Sequence, residues 1–474
     1  MTESPKKLNE NSYDLPVSEA LADFMAQGWA DTRRADVERQ PVSVYTAKRR
    51  AVLASRFPGE RLVVPSGGLK VRSNDCDYRF RAHSAFAYLT GHQEPDDVLV
   101  IDPSGTATLF IRPRSPRTTG DFYRDRRYGE FWVGRRPDLE EAERLYQIEC
   151  ADIERLPVAL GGTAPTRVLR GVDPVVDARV PRAAEADAEL AVFLSEMRMI
   201  KDEWEVAELQ HAVDATVRGF EDVVRSLPQA VRLPRGERHV EGVFALRARQ
   251  EGNDVGYDTI AAGGAHACVL HWIDNDGPLR ESDMLLLDAG VETDNLYTAD
   301  VTRTIPVSGR FTSLQRQVYE LVYEAQSAAI AVLRPGVRFL DFHETAMRVI
   351  VEGLHEWGVL KISADQAMDP ANGLYRRYTL CGSGHMLGMD VHDCAKARVE
   401  TYTGGVLEAG QVLTVEPGLY LQPDDLTLPE ELRGIGVRIE DDLVITEDGA
   451  RLMSAGLPRH PDEVESWMRT LLDG

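Results

Sequence analysis

The rhythm of apolar and polar positions changes along this chain, and each rhythm predicts its own kind of element. From Val17 to about Phe57, apolar residues recur at helical spacing among Arg and Ala. Short apolar runs follow at Arg61-Leu62-Val63-Val64-Pro65 and Val98-Leu99-Val100-Ile101, and these predict strands. Asp102-Pro103-Ser104-Gly105 marks a turn, with Thr108-Leu109-Phe110-Ile111 as the hairpin partner beyond it. A helix is predicted over 139–156. Pro174 and Pro181 bracket a change of pattern, after which a long helical stretch runs over 185–227. It breaks near Ile200-Lys201-Asp202-Glu203, where Asp202 is a helix cap with Glu205 three residues on. Val206, Leu209, Val213, Val217 and Phe220 then give an apolar face, which Pro228 and Pro234 are expected to stop. The remainder is strand-rich, with helices over 312–333 and 339–357.

These patterns predict an α/β (α+β) protein of two domains. The first, over 1–183, is a mixed α/β domain with a loose polar tail over 1–16. The second spans 184–474. A chain of 474 residues accommodates two or three domains at roughly 150 residues each. No short tandem repeat and no low-complexity tract appears.

Composition narrows the classes of partner. With 54 basic and 77 acidic residues, the net charge of −23 repels phosphate backbones and anionic lipid, so neither nucleic acid nor a membrane is an expected partner. No stretch is long and apolar enough to span a bilayer, and the first residues carry no apolar run of a secretory signal. The 5 cysteines are irregularly spaced with no CxxC, which fits a reduced, cytoplasmic protein.

The candidate chemistry lies in the second domain. Met284-Leu285-Leu286-Leu287 reads as a buried strand delivering Asp288. Beyond Gly290 and a polar turn, Asp300 opens the alternating segment Val301-Thr302-Arg303-Thr304-Ile305. A hairpin would set the two carboxylates on neighbouring strands, and side by side they are costly unless a cation neutralises them. Glu416 follows the strand-like Val412-Leu413-Thr414-Val415, and Glu440 is expected inside an alternating strand that begins at Gly436. His385 sits in the glycine-punctuated GHMLGMDVHD, which also carries His392. Any one of these acids taken singly is ordinarily a turn or solvent residue. Together, four carboxylates and one imidazole suit Mn²⁺, and could hold Zn²⁺, Co²⁺ or Fe²⁺. Two such ions about 3.5–4 Å apart would need bridging carboxylates.

At these residues the chain resembles the aminopeptidase P and prolidase family of metallopeptidases. The segments LLLDAG, TADVTRT, GHMLGMDVHD, VLTVEPGLY and RGIGVRIEDDLVIT occur in the family's order, with TIAAGGAHACVLHW upstream and RFRAHSAFAYLTGHQEPDDVLVI in the first domain. The resemblance implies a pseudo-twofold pita-bread fold for the second domain, which periodicity does not reveal. It implies that Asp288 chelates one of two divalent metal ions, that Asp300 and Glu440 bridge both, and that His385 and Glu416 hold the second. His271 and His392 would line the substrate site, Arg438 would orient a carboxylate, and Tyr257 would support the ligands. Trp132, in Phe131-Trp132-Val133-Gly134-Arg135-Arg136, corresponds to a segment that in relatives lies near the active site and sometimes reaches a neighbouring subunit. Relatives are often dimers or tetramers.

The implied activity is release of the amino-terminal residue from peptides with an Xaa-Pro start, by a water that two ions acidify toward a pKa of about 7. Glu416 would carry the proton to the leaving nitrogen. His271 or His392 would stabilise the oxyanion. One departure stands out: relatives commonly carry His four residues before the ligand His, and here that place is Cys381. A prolidase restricted to Xaa-Pro dipeptides, creatinase-like chemistry and a non-catalytic peptide-binding protein on the same scaffold are the rival readings. The last two usually go with lost ligands.

Overall fold

The computed structural model describes residues 15–34 and 36–473, so the expected tail over 1–16 falls almost wholly outside the described residues. The chain forms two compact units, one up to Ala191 and one from Val192 on.

The first unit is built on a five-stranded sheet in the order Glu149–Asp152, Ala107–Ile111, Val98–Ile101, Arg61–Pro65, Thr166–Val168. Its centre is antiparallel and both edge strands are parallel to their neighbours. The predicted hairpin forms with Leu99 opposite Leu109. Asp102 closes its turn, accepting from the Ser104 and Thr106 N–H groups at 2.8 and 3.1 Å.

Two helical expectations need correction in this unit. The stretch over 17–57 splits into helices Glu19–Met25 and Ser43–Arg56, separated by a polar segment with Gly28 and Pro41. The helix over 139–156 is shorter, Leu139–Tyr146. Gln147 turns left-handed at φ 51° and the chain enters an edge strand instead. Trp132 lies in the short helix Glu130–Val133, exposed alongside Phe131 and Val133.

The second unit repeats one plan. The helix pair Glu203–Ala230 and Gly236–Glu251 leads into the antiparallel strands Ile260–Gly263, Met284–Ala289 and Val301–Pro306. A second pair, Ser313–Val332 and Asp341–Glu356, precedes the antiparallel strands Val412–Val415, Asp441–Ile445 and Ala450–Leu452. Between the first two of these lies the pair Gly418–Leu421 and Ile435–Arg438. Asp202 caps its helix as predicted, its side chain accepting from the Glu205 N–H at 3.0 Å and Glu205 accepting in return from the Asp202 N–H. Pro228 does not stop that helix. It sits in the last turn, where the missing N–H removes a single bond, and the helix runs on to Ala230.

Threonine hydroxyls stitch the two halves together at the centre. Thr304 Oγ1 donates to the Arg438 carbonyl at 2.9 Å and accepts from the Arg438 N–H at 3.1 Å. One apolar core runs through both halves, from Val223 and Phe244 to Leu413 and Leu443.

Candidate metal centre

Pairing of Met284–Ala289 with Val301–Pro306 sets Asp288 opposite Thr302, with Asp300 just before its strand. Both carboxylates therefore reach the same end of the hairpin. Tyr257 Oη lies 2.5 Å from an oxygen of each. A phenol has one proton, so it donates to one of them at a time.

The other half supplies the remaining groups. His385 Nε2 lies 3.3 Å from Asp300 Oδ2 and 3.4 Å from Glu416 Oε1. The His385 segment is bonded directly to the strand that delivers Glu416: His385 N–H donates to Thr414 Oγ1 at 3.1 Å, and Thr414 N–H donates to the His385 carbonyl at 2.9 Å. Gly384 makes that approach possible, because a Cβ there would meet Thr414 O at 2.1 Å. Glu440 corrects its expectation. It lies not inside a strand but in the break between Ile435–Arg438 and Asp441–Ile445. Its N–H donates to Thr302 O at 3.0 Å and its Oε2 accepts from Thr302 Oγ1 at 2.7 Å. Ligand atoms of Asp300, His385 and Glu440 lie within 4.8 Å of one another.

All five groups line one cavity of about 540 Å³, together with His271, His392, Arg438, Tyr420 and Cys381. His271 is on no strand. It lies in the loop after the Gly264–Cys268 turn, exposed to the cavity. The His392 ring stands edge-on to that of His385 at 4.5 Å. His266, by contrast, stacks on Trp272 at 3.9 Å and meets the fully buried Glu237 at 2.7 Å, a structural arrangement. Arg438 reaches Asp288 Oδ2 at 2.5 Å and donates also to Tyr420 Oη and Thr302 Oγ1, at 3.0 and 3.2 Å.

The electrostatics follow from crowding acids in a buried place. Burial and the neighbouring Asp300, Glu416 and Asp288 charges hold Glu440 well above the usual carboxylate range. Burial pushes Glu416 up to about 7, against the pull of His385. Burial also raises Asp288, although Arg438 opposes it. Asp300 goes the other way: burial raises it, but the bond and charge of His385 outweigh that. Burial disfavours the His385 cation, yet Asp300 and Glu416 lift it to about 9. Burial and the His385 charge both lower His392.

The donor set fits divalent cations. Glu440 Oε1 is buried and has no hydrogen-bond partner. Four carboxylates face one guanidinium and one imidazole, an imbalance that two divalent ions would offset. Sequence reasoning missed several supporting residues. Asp442 Oδ2 accepts the Asp300 N–H at 3.0 Å, and Arg303 donates to the Glu440 carbonyl at 2.7 Å and to Asp441 Oδ1 at 2.7 Å. Three consecutive acids, Glu440-Asp441-Asp442, set between Ile439 and Leu443, were the available signal.

The fold and the site define a class that the comparisons make explicit. The description "Metallopeptidase family M24" matches residues 207–447, and "Aminopeptidase P, N-terminal domain" matches 46–167. The chain belongs to metallopeptidase family M24, and its second unit has the family's pita-bread fold. It is 56% identical to Xaa-Pro aminopeptidase 1 of Streptomyces coelicolor, over 99% of this chain and 96% of that protein. It is 32% identical to the Xaa-Pro aminopeptidase of Escherichia coli, over 90% and 97% of the two chains. Among solved structures it is similar to aminopeptidase PepP of Pseudomonas aeruginosa, with a TM-score of 0.80 and 31% identity over 92% of this chain and 100% of that one. The Escherichia coli aminopeptidase P bound to the inhibitor Pro-Leu gives a TM-score of 0.79 at 29% identity, over 92% and 100%.

Proposed function

We propose that this chain releases the amino-terminal residue from peptides that carry proline in second position. The observation that carries this reading is the buried, cation-deficient acid cluster around Glu440, in a chain whose relatives over nearly its full length are named Xaa-Pro aminopeptidase. Asp288, Asp300, His385, Glu416 and Glu440 would hold two divalent ions. Such ions supply an acidified water and a charge that polarises the scissile carbonyl. Manganese suits the oxygen-rich set best, with zinc, cobalt or iron as substitutes.

The chain's own groups do the remaining work. An Xaa-Pro bond is a tertiary amide with no N–H and a fixed proline φ, so the substrate must be held by its ring and its amino terminus. Ile260, Leu270 and Val391 give the cavity its apolar wall, and the acids near Asp288 attract the amino terminus. Arg438 bonds Asp288 Oδ2, favouring the carboxylate against the effect of burial, and aims it. Glu416, which lines the cavity, takes a proton from the attacking water and gives it to the departing proline nitrogen. His392 and His271 face the cavity and stabilise the charge that grows on the carbonyl oxygen. The exposed Phe131, Trp132 and Val133 support a dimer or tetramer, in which a second copy covers them. Free rather than paired cysteines among the described residues support a cytoplasmic setting.

The test is amino-acid release from Xaa-Pro-Yaa peptides, with Ala-Pro alongside, after chelation and after Mn²⁺ is added back. Tripeptide cleavage restored by the ion supports the proposal. Cleavage of the dipeptide alone makes the chain a prolidase, and cleavage of neither favours a peptide-binding role.

A further inference from the structure

Several residues of the GHMLGMDVHD stretch touch no part of the acid cluster, and they converge on a buried charge network. Asp393 directly follows His392 and is almost fully buried. Its Oδ2 lies 3.2 Å from Lys201 Nζ and its Oδ1 lies 3.0 Å from Arg198 Nη2. Arg198 Nη2 also reaches Asp390 Oδ2 at 3.0 Å. The Lys201 side chain is 0% exposed and that of Asp393 1%. Burying an ammonium and a carboxylate together adds little net stability over an apolar pair, so what such a pair supplies is a defined geometry.

The backbone explains what that geometry holds. Asp393 N–H donates to the Met386 carbonyl at 2.9 Å, closing a tight loop between the residue after His385 and the residue after His392. Cys394 leaves the loop in a left-handed conformation at φ 61°. Gly388 lies so close that a Cβ there would meet Asp393 Oδ2 at 2.1 Å and Lys201 Cε at 3.2 Å. The glycine is therefore the space through which Asp393 and Lys201 meet. Lys201 is fixed in turn. Its N–H donates to the Gly410 carbonyl at 2.9 Å, and Ile200 bridges Gln411, the residue before the strand Val412–Val415 that leads to Glu416. One short segment, 198–201, thus holds the His392 loop by side chains and the Glu416 strand by its backbone.

We propose that Lys201 and Arg198, acting through Asp393, are positioning residues that set His392 over the cavity in register with Glu416. This rests on the reading that His392 contacts the reacting carbonyl. Neither cation is itself a cavity-lining group. Their effect is on where the imidazole stands, and a displacement of about 1 Å at a catalytic group costs on the order of a hundredfold in rate.

A double-mutant cycle tests it on the Mn²⁺-loaded full chain. Lys201→Met, His392→Ala and the double variant are compared for kcat and KM on an Xaa-Pro-Yaa peptide, with metal content and Tm measured alongside. Lys201→Met is expected to lower kcat about tenfold, with KM and bound metal little changed. In the His392→Ala background the same change is expected to lower kcat by less than about twofold. Equal losses in both backgrounds would mean a general structural role and would overturn the proposal, as would an undiminished kcat for Lys201→Met alone. Full activity in His392→Ala by itself would instead remove the role of His392, and the proposal with it. If Lys201→Met does not fold, Arg198→Leu takes its place in the same cycle with the same outcomes.

Discussion

Glu141 in the first unit and Glu440 in the second are almost equally buried, at 2% and 1% exposed, yet their surroundings are opposite. Glu141 receives the Arg135 guanidinium, the Arg34 N–H at 2.8 Å and the Asp138 N–H at 3.1 Å. Burial works against its charge, but these donors hold it down at about 2. Glu440 receives one hydroxyl, from Thr302, and its Oε1 receives nothing. Asp441, next in the chain, shows the first solution again, with donors from Arg303, Gln326 and Ser454. At Glu141 and Asp441 the chain provides both a cation and further donors itself. At the Glu440 carboxylate it provides one hydroxyl and no contacting cation, and the deficit marks the place where something from outside is to bind.

The sharpest test of that contrast is Glu416→Gln. Turnover of an Xaa-Pro-Yaa peptide should fall at least about a hundredfold, the range expected for loss of a proton carrier, while the protein still unfolds cooperatively. Retention of more than a few per cent activity would take the proton-carrying role away from Glu416.

Chelation should expose the imbalance as a pH effect on stability. In the metal-free chain, Glu416 is raised from 4.5 to about 7, so its favourable protonated form is lost as pH climbs from 4.5 through 7. His385 is raised from 6.5 to about 9, so its contribution is complete below 6.5 and lost as pH rises through 9. Both act in one direction, and Tm of the metal-free chain should fall from pH 5 to pH 9. Added Mn²⁺ should raise Tm by roughly 5 °C or more at saturation, and by more at the alkaline end, where the ligands are already deprotonated. A gap that stays flat with pH would mean the ion does not bind among these acids.

The mildest change should come from Glu141→Gln. It should cost about 1–3 kcal/mol of stability by leaving Arg135 poorly partnered, read from denaturant unfolding, and leave kcat/KM and metal content unaltered. Loss of metal from this variant would break the distinction between the two acids.

Three of the candidate ligands were legible in the sequence from their place beside strand-like runs: Asp288 after Met284–Leu287, Glu416 after Val412–Val415, and Asp300 before an alternating segment. The hairpin joining Asp288 to Asp300 followed from strand period alone. What held them in place was less visible. Glu440 was expected within a strand because alternation continues through Ile439, but the chain breaks there so that its N–H reaches Thr302 O, a partner far away in sequence. The helix over 139–156 failed for a comparable reason, since one left-handed residue, Gln147, overrides a helical pattern that continues past it. Arg303 carries no local signal of its role, because its acceptors lie in the opposite half of the unit, and Asp442 is marked only by the run of three acids it ends. The internal repeat of helix pair and sheet was implied by the family resemblance alone, since apolar periodicity does not reveal it.

That repeat divides the proposed ligands unevenly. Asp288 and Asp300 come from its first copy, and His385, Glu416 and Glu440 from its second. Neither copy holds the whole proposed set, so the cluster exists only as a product of their association. By linkage, whatever free energy an ion gains on binding is also cohesion between the copies. The ion would act as a rivet through the waist of the catalytic unit, and a chain cut between Pro306 and Ser313 should rejoin more tightly in its presence than in its absence.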